Sequence, residues 1–304
     1  MHNVVERNDP SWVFEVARRC ALEERLPAGE VTAAARAQAE ASRALGPDVV
    51  RGELEAMLLG RGVHVALQWL HDSGLLAVWL PELEATVDFS QEAGRRHKDV
   101  WEHTKLVVRQ SVPKPAVRWA ALLHDIGKVP TRVLLPDGRV TFHRHAEVGA
   151  RMFDPIGRRM GFEKPDRQRI RFLILHHLRA NAYESGWTDA AVRRFDHEMG
   201  DGLDELLDLS RADVTSRRPG RRQEAVSNIH ALKERILVIR ELDARVPPLP
   251  PGLGNAIMEA FGLPPSKRIG DLRKLCEDAV ERGELVERQD AAYYVEFLRK
   301  QGVA

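Results

Sequence analysis

Apolar residues recur at intervals of three and four along most of the chain, and this spacing is typical of amphipathic helices. Breaks that contain Gly or Pro separate the periodic stretches. The pattern predicts helical segments within residues 11–26, 31–45, 49–59, 63–73 and 75–83. The exception is 132–142, where Pro136-Asp-Gly138 lies between two β-branched runs and favours a hairpin turn. The sequence therefore predicts an all-α fold with one short β-hairpin.

One apolar helical run ends in two residues that are costly to bury. Trp119–Leu123 leads directly into His124 and Asp125, and Gly127 and Lys128 follow. An imidazole and a carboxylate at the end of a buried helix need a charged partner, and a divalent metal ion binds both. The alternative is an ordinary helix end with an exposed polar pair and Gly127 as a left-handed stop.

Other candidate ligands lie on stretches that also favour helices, and their number supports the metal. They are His103, His145, His176, His177 and Asp213. Imidazoles combined with carboxylates suit manganese, iron, nickel, cobalt or zinc better than magnesium. The sequence thus predicts a transition-metal site built around the His124-Asp125 pair.

The order His, His-Asp, His, His, Asp resembles that of the HD superfamily of metal-dependent phosphohydrolases. The resemblance implies two divalent transition-metal ions. One set of ligands would be His103, His124, Asp125 and Asp213. In members with two metals the aspartate of the pair bridges, and His145 and His176 match the additional ligands.

A second resemblance extends over nearly the whole chain. Leu80-Pro-Glu-Leu83, Arg118–Lys128 and Phe261-Gly-Leu-Pro-Pro265 are similar to the neck, HD and tail regions of bacterial tRNA nucleotidyltransferases, the CCA-adding enzymes. This implies a neck-like helical region at 1–85, an HD phosphohydrolase domain at 86–245 and a small helical tail domain at 246–304. The family's nucleotidyltransferase head precedes the neck, whereas this sequence starts at the neck. The family's neck carries a Glu-Asp-x-x-Arg motif. The corresponding residues here are Asn8-Asp-Pro-Ser-Trp12, which lack the charged Glu and Arg, so we expect no CCA addition.

The adjacent histidines at 176 and 177 leave two possibilities open. Neighbours on a helix point about 100° apart, so one of them enters a given coordination site. HD hydrolases with a double histidine use the first as ligand, whereas the nucleotidyltransferase pattern aligns with the second. We predict that His176 binds metal and that His177 faces the substrate.

Four residues are predicted to act on the substrate: Asp125, Lys128, His143 and His177. Asp125 would bridge the metals. Lys128, one turn beyond the pair, suits a phosphate oxygen, although a lysine near a helix C-terminus also has a purely electrostatic explanation. His143 is either a proton donor or an exposed loop histidine.

Overall composition adds little, but one local run of charge stands out. The chain has 304 residues, 43% hydrophobic and 30% charged, with a net charge of +1, so global charge does not indicate a nucleic-acid partner. After Asp213 come Arg217, Arg218, Arg221 and Arg222, which could follow an RNA backbone. A solvated helix face is the alternative, because Glu224 interrupts the run.

Location is predicted from what the sequence does not contain. Cys20 and Cys276 form no redox or metal motif. No apolar run reaches the roughly 18 residues of a membrane span, and no signal-peptide pattern opens the sequence. We expect a cytoplasmic protein without a membrane partner.

These observations favour a metal-dependent phosphohydrolase, a phosphomonoesterase or phosphodiesterase. Its substrate would be a nucleotide or an RNA 3′ end, with tRNA as one candidate and a 2′,3′-cyclic phosphate or 2′-phosphate as the group hydrolysed. Two alternatives stay open: an HD-type di-iron oxygenase, and a tRNA-binding module without catalysis. The complete set of ligands argues against the last of these.

Overall fold

The computed structural model describes residues 9–90, 99–216, 218–244 and 247–302, and this part of the chain is helical apart from one small sheet. The helices are α1 (Trp12–Glu23), α2 (Gly29–Gln38), α3 (Pro47–Leu58), α4 (Val63–Asp72), α5 (Leu75–Trp79), α6 (Pro81–Glu84), α7 (Val100–Gln110), α8 (Pro115–Leu123), α9 (Lys128–Thr131), α10 (His145–Arg159), α11 (Lys164–His176), α12 (Asp189–Met199), α13 (Leu203–Asp213), α14 (Arg221–Ala244), α15 (Leu253–Phe261), α16 (Lys267–Glu281) and α17 (Ala291–Lys300). The strands are β1 (Val133–Leu134) and β2 (Val140–Thr141). The predicted all-α class with one hairpin is confirmed.

Helix boundaries follow the local chemistry of Pro and Gly. Pro47, Pro81, Pro115 and Pro165 each stand in the first turn of a helix, where the missing N–H removes no intrahelical hydrogen bond. The predicted helix within 31–45 is divided, because α2 ends at Gln38 and a 3₁₀ turn continues from Glu40 to Ala44. The hairpin pairs antiparallel, with Val133 opposite Thr141 and Leu134 opposite Val140.

The chain forms two compact units, Met1–Ile236 and Leu237–Ala304. In the first unit α8 packs against α3, α7, α11 and α13, and every residue from Val117 to Leu123 is buried. Arg118 Nη1 donates to the carbonyl oxygen of Leu58 at 2.9 Å, and Trp119 Nε1 donates to Glu55 Oε2 at 3.2 Å. The predicted neck and HD regions therefore share one compact unit, joined by hydrogen bonds between α8 and α3.

The second unit has a small core of its own, in which Ile257, Cys276, Tyr294 and Leu298 are fully buried. The hydroxyl of Tyr294 donates to the carbonyl oxygen of Val286 at 2.9 Å. This unit starts within α14, whereas the tail domain predicted from the sequence starts at residue 246. Among the helices described, none combines the length and the apolar character that crossing a membrane requires.

Candidate metal centre

The buried end of α8 carries His124 and Asp125 into the interior, where their exposed fractions are 0% and 2%. His124 Nδ1 lies 2.8 Å from the carbonyl oxygen of Ala121. A carbonyl oxygen only accepts, so Nδ1 carries the hydrogen and Nε2 points away from the helix. The predicted pair is thus both buried and oriented.

The same local arrangement recurs at two other histidines. His145 Nδ1 donates to the carbonyl oxygen of Phe142 at 2.9 Å, and His177 Nδ1 donates to that of Ile174 at 2.8 Å. In each case the acceptor lies three residues earlier in the chain. Hydrogen bonds of this kind fix the imidazole with Nε2 available, which is the tautomer that a metal ion requires.

His103, His124, Asp125 and Asp213 form the first half of the cluster. The Nε2 atoms of His103 and His124 are 3.2 Å apart. Asp125 Oδ2 lies 3.4 Å and 3.1 Å from them, and Asp213 Oδ1 lies 3.0 Å and 3.5 Å from them. Four candidate donor atoms therefore converge from α7, α13 and the segment after α8.

Asp125, His145 and His177 form the second half. His145 Nε2 lies 3.5 Å from Asp125 Oδ1 and 3.3 Å from His177 Nε2. Asp125 Oδ1 is buried and has no hydrogen-bond partner within the described residues. Asp125 thus presents one carboxylate oxygen to each half. Two groups have the spacing of a metal-binding site: His103, His124 and Asp125, and Asp125, His145 and His177. The orphaned oxygen and the convergent imidazoles fit the binding of divalent metal at this cluster.

The electrostatics of the cluster are those of a cation site. Burial raises the pKa of Asp125, but the adjacent His124 and Lys128 outweigh it and hold that pKa well below its usual value. Burial also lowers the pKa of His124, yet Asp125 and Asp213 raise it to about 10. The carboxylates therefore keep a proton on His124 Nε2, and a bound divalent cation would take the place of that proton.

Of the two adjacent histidines, only His177 lies in the cluster. His177 is 1% exposed and contributes to the cluster, and burial with the nearby His124 lowers its pKa to about 4. His176 is only partly buried, and its ring packs against Phe172 with 4.6 Å between centroids. This placement favours His177 over His176 as the ligand, against the prediction made from the sequence. The turn of α11 directs only His177 towards Asp125.

The remaining predicted residues lie around the cluster. Lys128 Nζ is 2.6 Å from Asp125 Oδ2, so it lies beside the candidate ligands. His143 is exposed after β2, and none of the contacts described for the cluster involves it. Arg218, Arg221 and Arg222 are exposed before and at the start of α14. Arg217 lies outside the described residues.

Sequence reasoning missed Thr215, whose Oγ1 lies 3.0 Å from His103 Nδ1. A threonine two residues beyond Asp213 carries no distinguishing signal in the sequence. It also missed the carbonyl partners of the other histidines, because every residue offers a carbonyl. The acceptors become visible only once the backbone is placed.

Gly127 is required for close packing rather than for a left-handed helix stop. Its φ is −66°, which any residue adopts. A Cβ at this position would overlap the carbonyl oxygen of His145 and would lie 2.6 Å from the nitrogen of Gly149. The segment after α8 therefore touches the backbone of α10, and this contact places His145 next to Asp125.

Replacing Gly127 by alanine should push the start of α10 away from α8. We expect a loss of about 1–3 kcal/mol in the free energy of unfolding, the usual cost of overpacking. Weaker binding at the half that contains His145 should accompany it. Urea denaturation and metal titration would measure both effects. Gly52→Ala on α3 is the control, because nothing lies within 4 Å of its added Cβ. Equal stability of the two variants would contradict this account of Gly127.

Residues 88–218 match the family model of the HD domain, and the chain thus contains an HD domain. The chain is also 33% identical over 254 residues to the A-adding tRNA nucleotidyltransferase of Deinococcus radiodurans, which covers 81% of this chain and 57% of that protein. It is 31% identical over 257 residues to the CC-adding tRNA nucleotidyltransferase of Thermus thermophilus, covering 82% and 56%. A multifunctional CCA protein of Pseudomonas aeruginosa is 37% identical over 129 residues, covering 40% and 32%.

The resemblance to the HD superfamily and to the neck and HD regions of tRNA nucleotidyltransferases is confirmed. The chain spans a little over half the length of the Deinococcus and Thermus relatives. Trp12 stands where the resemblance places an arginine of the neck motif. It is 4% exposed, and its Nε1 donates to Gln38 Oε1 at 2.9 Å. This side chain packs in the core and presents no charged edge to a nucleotide; the expected lack of CCA addition stays a prediction.

Proposed function

We propose that the protein is a metal-dependent phosphohydrolase that acts on a nucleotide or an RNA end, such as a 2′,3′-cyclic phosphate or a 2′-phosphate. One observation carries the proposal: the carboxylate of Asp125 offers one oxygen to each of two converging groups of imidazoles, and its Oδ1 is buried without a hydrogen-bond partner among the described residues. A protein interior rarely leaves a carboxylate oxygen in that state unless a water molecule or a cation completes it.

The chain's own residues prepare this centre for a phosphate. Divalent cations held there would supply a water nucleophile at neutral pH and an electrostatic clamp on the phosphate oxygens. The carbonyl oxygens of Ala121, Phe142 and Ile174 hold three imidazoles in orientation. Lys128, beside Asp125, would contact a phosphate oxygen through its ammonium group.

An RNA end is the favoured form of the substrate for two reasons. The names of the relatives in Deinococcus and Thermus refer to tRNA. In addition, the basic stretch starts close to the cluster, because Arg218 lies three residues beyond Thr215 and Thr215 contacts His103. Exposed arginines in this place suit the phosphates of a strand whose end enters the cluster.

Metal analysis followed by a panel of phosphoesters tests the proposed reaction. The purified chain should bind two transition-metal ions and hydrolyse nucleoside 2′,3′-cyclic phosphates or 2′-phosphates when reconstituted with manganese, nickel, cobalt or zinc. Absence of hydrolysis with every metal would reject the proposal. Oxygen uptake by the iron-loaded protein, without phosphate release, would instead support the oxygenase alternative.

A longer substrate should be used better than a short one. Binding energy from remote nucleotides helps to position the terminal phosphate, so an oligonucleotide ending in a 2′,3′-cyclic phosphate should have a higher kcat/KM than the cyclic mononucleotide. Replacing Arg221 and Arg222 by glutamine should erase this preference. It should also reduce the slope of log kcat/KM against log salt for the oligonucleotide by roughly 1–2.

Arg158→Gln with Arg194→Gln provides a control with the same change in charge at exposed positions of α10 and α12. This pair should leave the preference intact. If the mononucleotide is the equal or better substrate, the neck and tail do not serve RNA binding, and a small nucleotide becomes the favoured substrate.

A further inference from the structure

An array of aromatic and cationic side chains lies beside the candidate metal centre. The rings of Phe142 and Phe89 are tilted by 53°, with 6.3 Å between their centroids. Lys128 Nζ lies 5.7 Å from the ring centre of Phe142, and the guanidinium carbon of Arg132 lies 5.7 Å from that of Phe89. We call these four residues the aromatic array. In order, it consists of the Lys128 cation, the Phe142 ring, the Phe89 ring and the Arg132 cation.

The inner end of the array is tied to the centre by two contacts. Lys128 Nζ is 2.6 Å from Asp125 Oδ2. The carbonyl oxygen of Phe142 accepts the hydrogen bond that orients His145. The backbone of Phe142 is therefore tied to a candidate ligand.

The outer end of the array reaches the surface. Arg132 is exposed, and both phenylalanine rings are only partly buried. Two phenylalanines at the edge of the unit, each next to a cation, leave part of their apolar area in contact with water. A planar ligand that covered them would bury this area and would also meet the guanidinium plane of Arg132.

We infer that the aromatic array binds the nucleobase of the substrate whose phosphate lies at the candidate metal centre. Bases stack on aromatic rings and on guanidinium planes, and they do so with little sequence preference because every base has a π-face. The inference rests on the proposed function and narrows its substrate class to phosphoesters that carry a base near the reacting phosphate. A merely structural role, anchoring the hairpin, would give no such selectivity.

A pair of substrates with the same reacting group separates these two roles. Adenosine 2′,3′-cyclic phosphate and glycerol 1,2-cyclic phosphate share a five-membered cyclic phosphodiester, but only the first has a base. The unmodified protein should prefer the adenosine compound in kcat/KM, mainly through a lower KM. Phe142→Leu should reduce this ratio at least about fivefold, the loss expected for one stacking contact.

Leu134→Ala is the matched control, because Leu134 is an exposed apolar residue of the same hairpin and lies outside the array. It should leave the ratio of the two kcat/KM values unchanged. Equal use of both substrates by the unmodified protein would overturn the inference, as would an equal loss for both in Phe142→Leu. Hydrolysis would persist in either case, so the proposed function would stand.

A binding measurement tests the array without turnover. The fluorescence of 2-aminopurine riboside monophosphate falls when its base stacks, and zinc-loaded protein should quench it. Phe89→Leu and Phe142→Leu should each weaken this binding at least about fivefold, whereas Leu134→Ala should not. Quenching without hydrolysis of any phosphoester would reject the proposed function and retain the array as a base-binding site. Absence of quenching would overturn the inference.

Discussion

Replacing Asp125 by alanine should remove both metal ions and lower kcat/KM for phosphoester hydrolysis by about 10³-fold or more. This carboxylate is the member common to both halves of the cluster. Its loss removes one oxygen ligand from each half and leaves the Lys128 ammonium group without the carboxylate beside it. Positive charge at the site would then repel a cation that the remaining imidazoles bind only weakly. Elemental analysis and an assay on a cyclic nucleotide would measure the two effects.

Helical structure must be checked in the same protein, because breaking a buried ion pair costs about 3–5 kcal/mol. If the alanine variant does not fold, Asp125→Asn keeps the shape while removing the charge. Asp154→Ala is the control, since this aspartate pairs with Arg171 and is partly exposed. Two metal ions and full turnover in a folded Asp125→Ala protein would rule out a shared ligand at this position.

The second large effect should separate two adjacent histidines. His177→Ala should reduce the metal content from two ions to one and lower kcat/KM at least about 100-fold, because the half formed with Asp125 and His145 loses one of its three donors. His176→Ala should retain both ions, since the His176 ring packs against Phe172 instead. His176→Ala is therefore the control for His177→Ala, because it makes the same chemical change one position away. Loss of an ion in His176→Ala with retention in His177→Ala would restore the prediction made from the sequence.

Much of this protein is determined by local pattern. The helical spacing of apolar residues and the Pro-Asp-Gly turn were sufficient to predict the all-α class and the hairpin, because each depends on interactions within a few residues. Residue type and position were also enough to identify five candidate ligands: His103, His124, Asp125, His145 and Asp213. Imidazoles and carboxylates at the ends of apolar runs are rare unless they bind something.

Tertiary structure decided which atoms meet. Periodicity does not distinguish His176 from His177, because the rotation of α11 about its axis is set by packing against α8 and α10. Nor does it explain Gly127, whose small size matters only because the backbone of His145 comes so close.

The aromatic array likewise brings together Phe89 and Phe142, which lie more than fifty positions apart in the sequence. The sequence by itself determined the helices and the set of residues that could bind a metal ion. The packing of helices distant along the chain selected the members of the centre, because ligand convergence depends on ångström-scale distances that no local interaction controls.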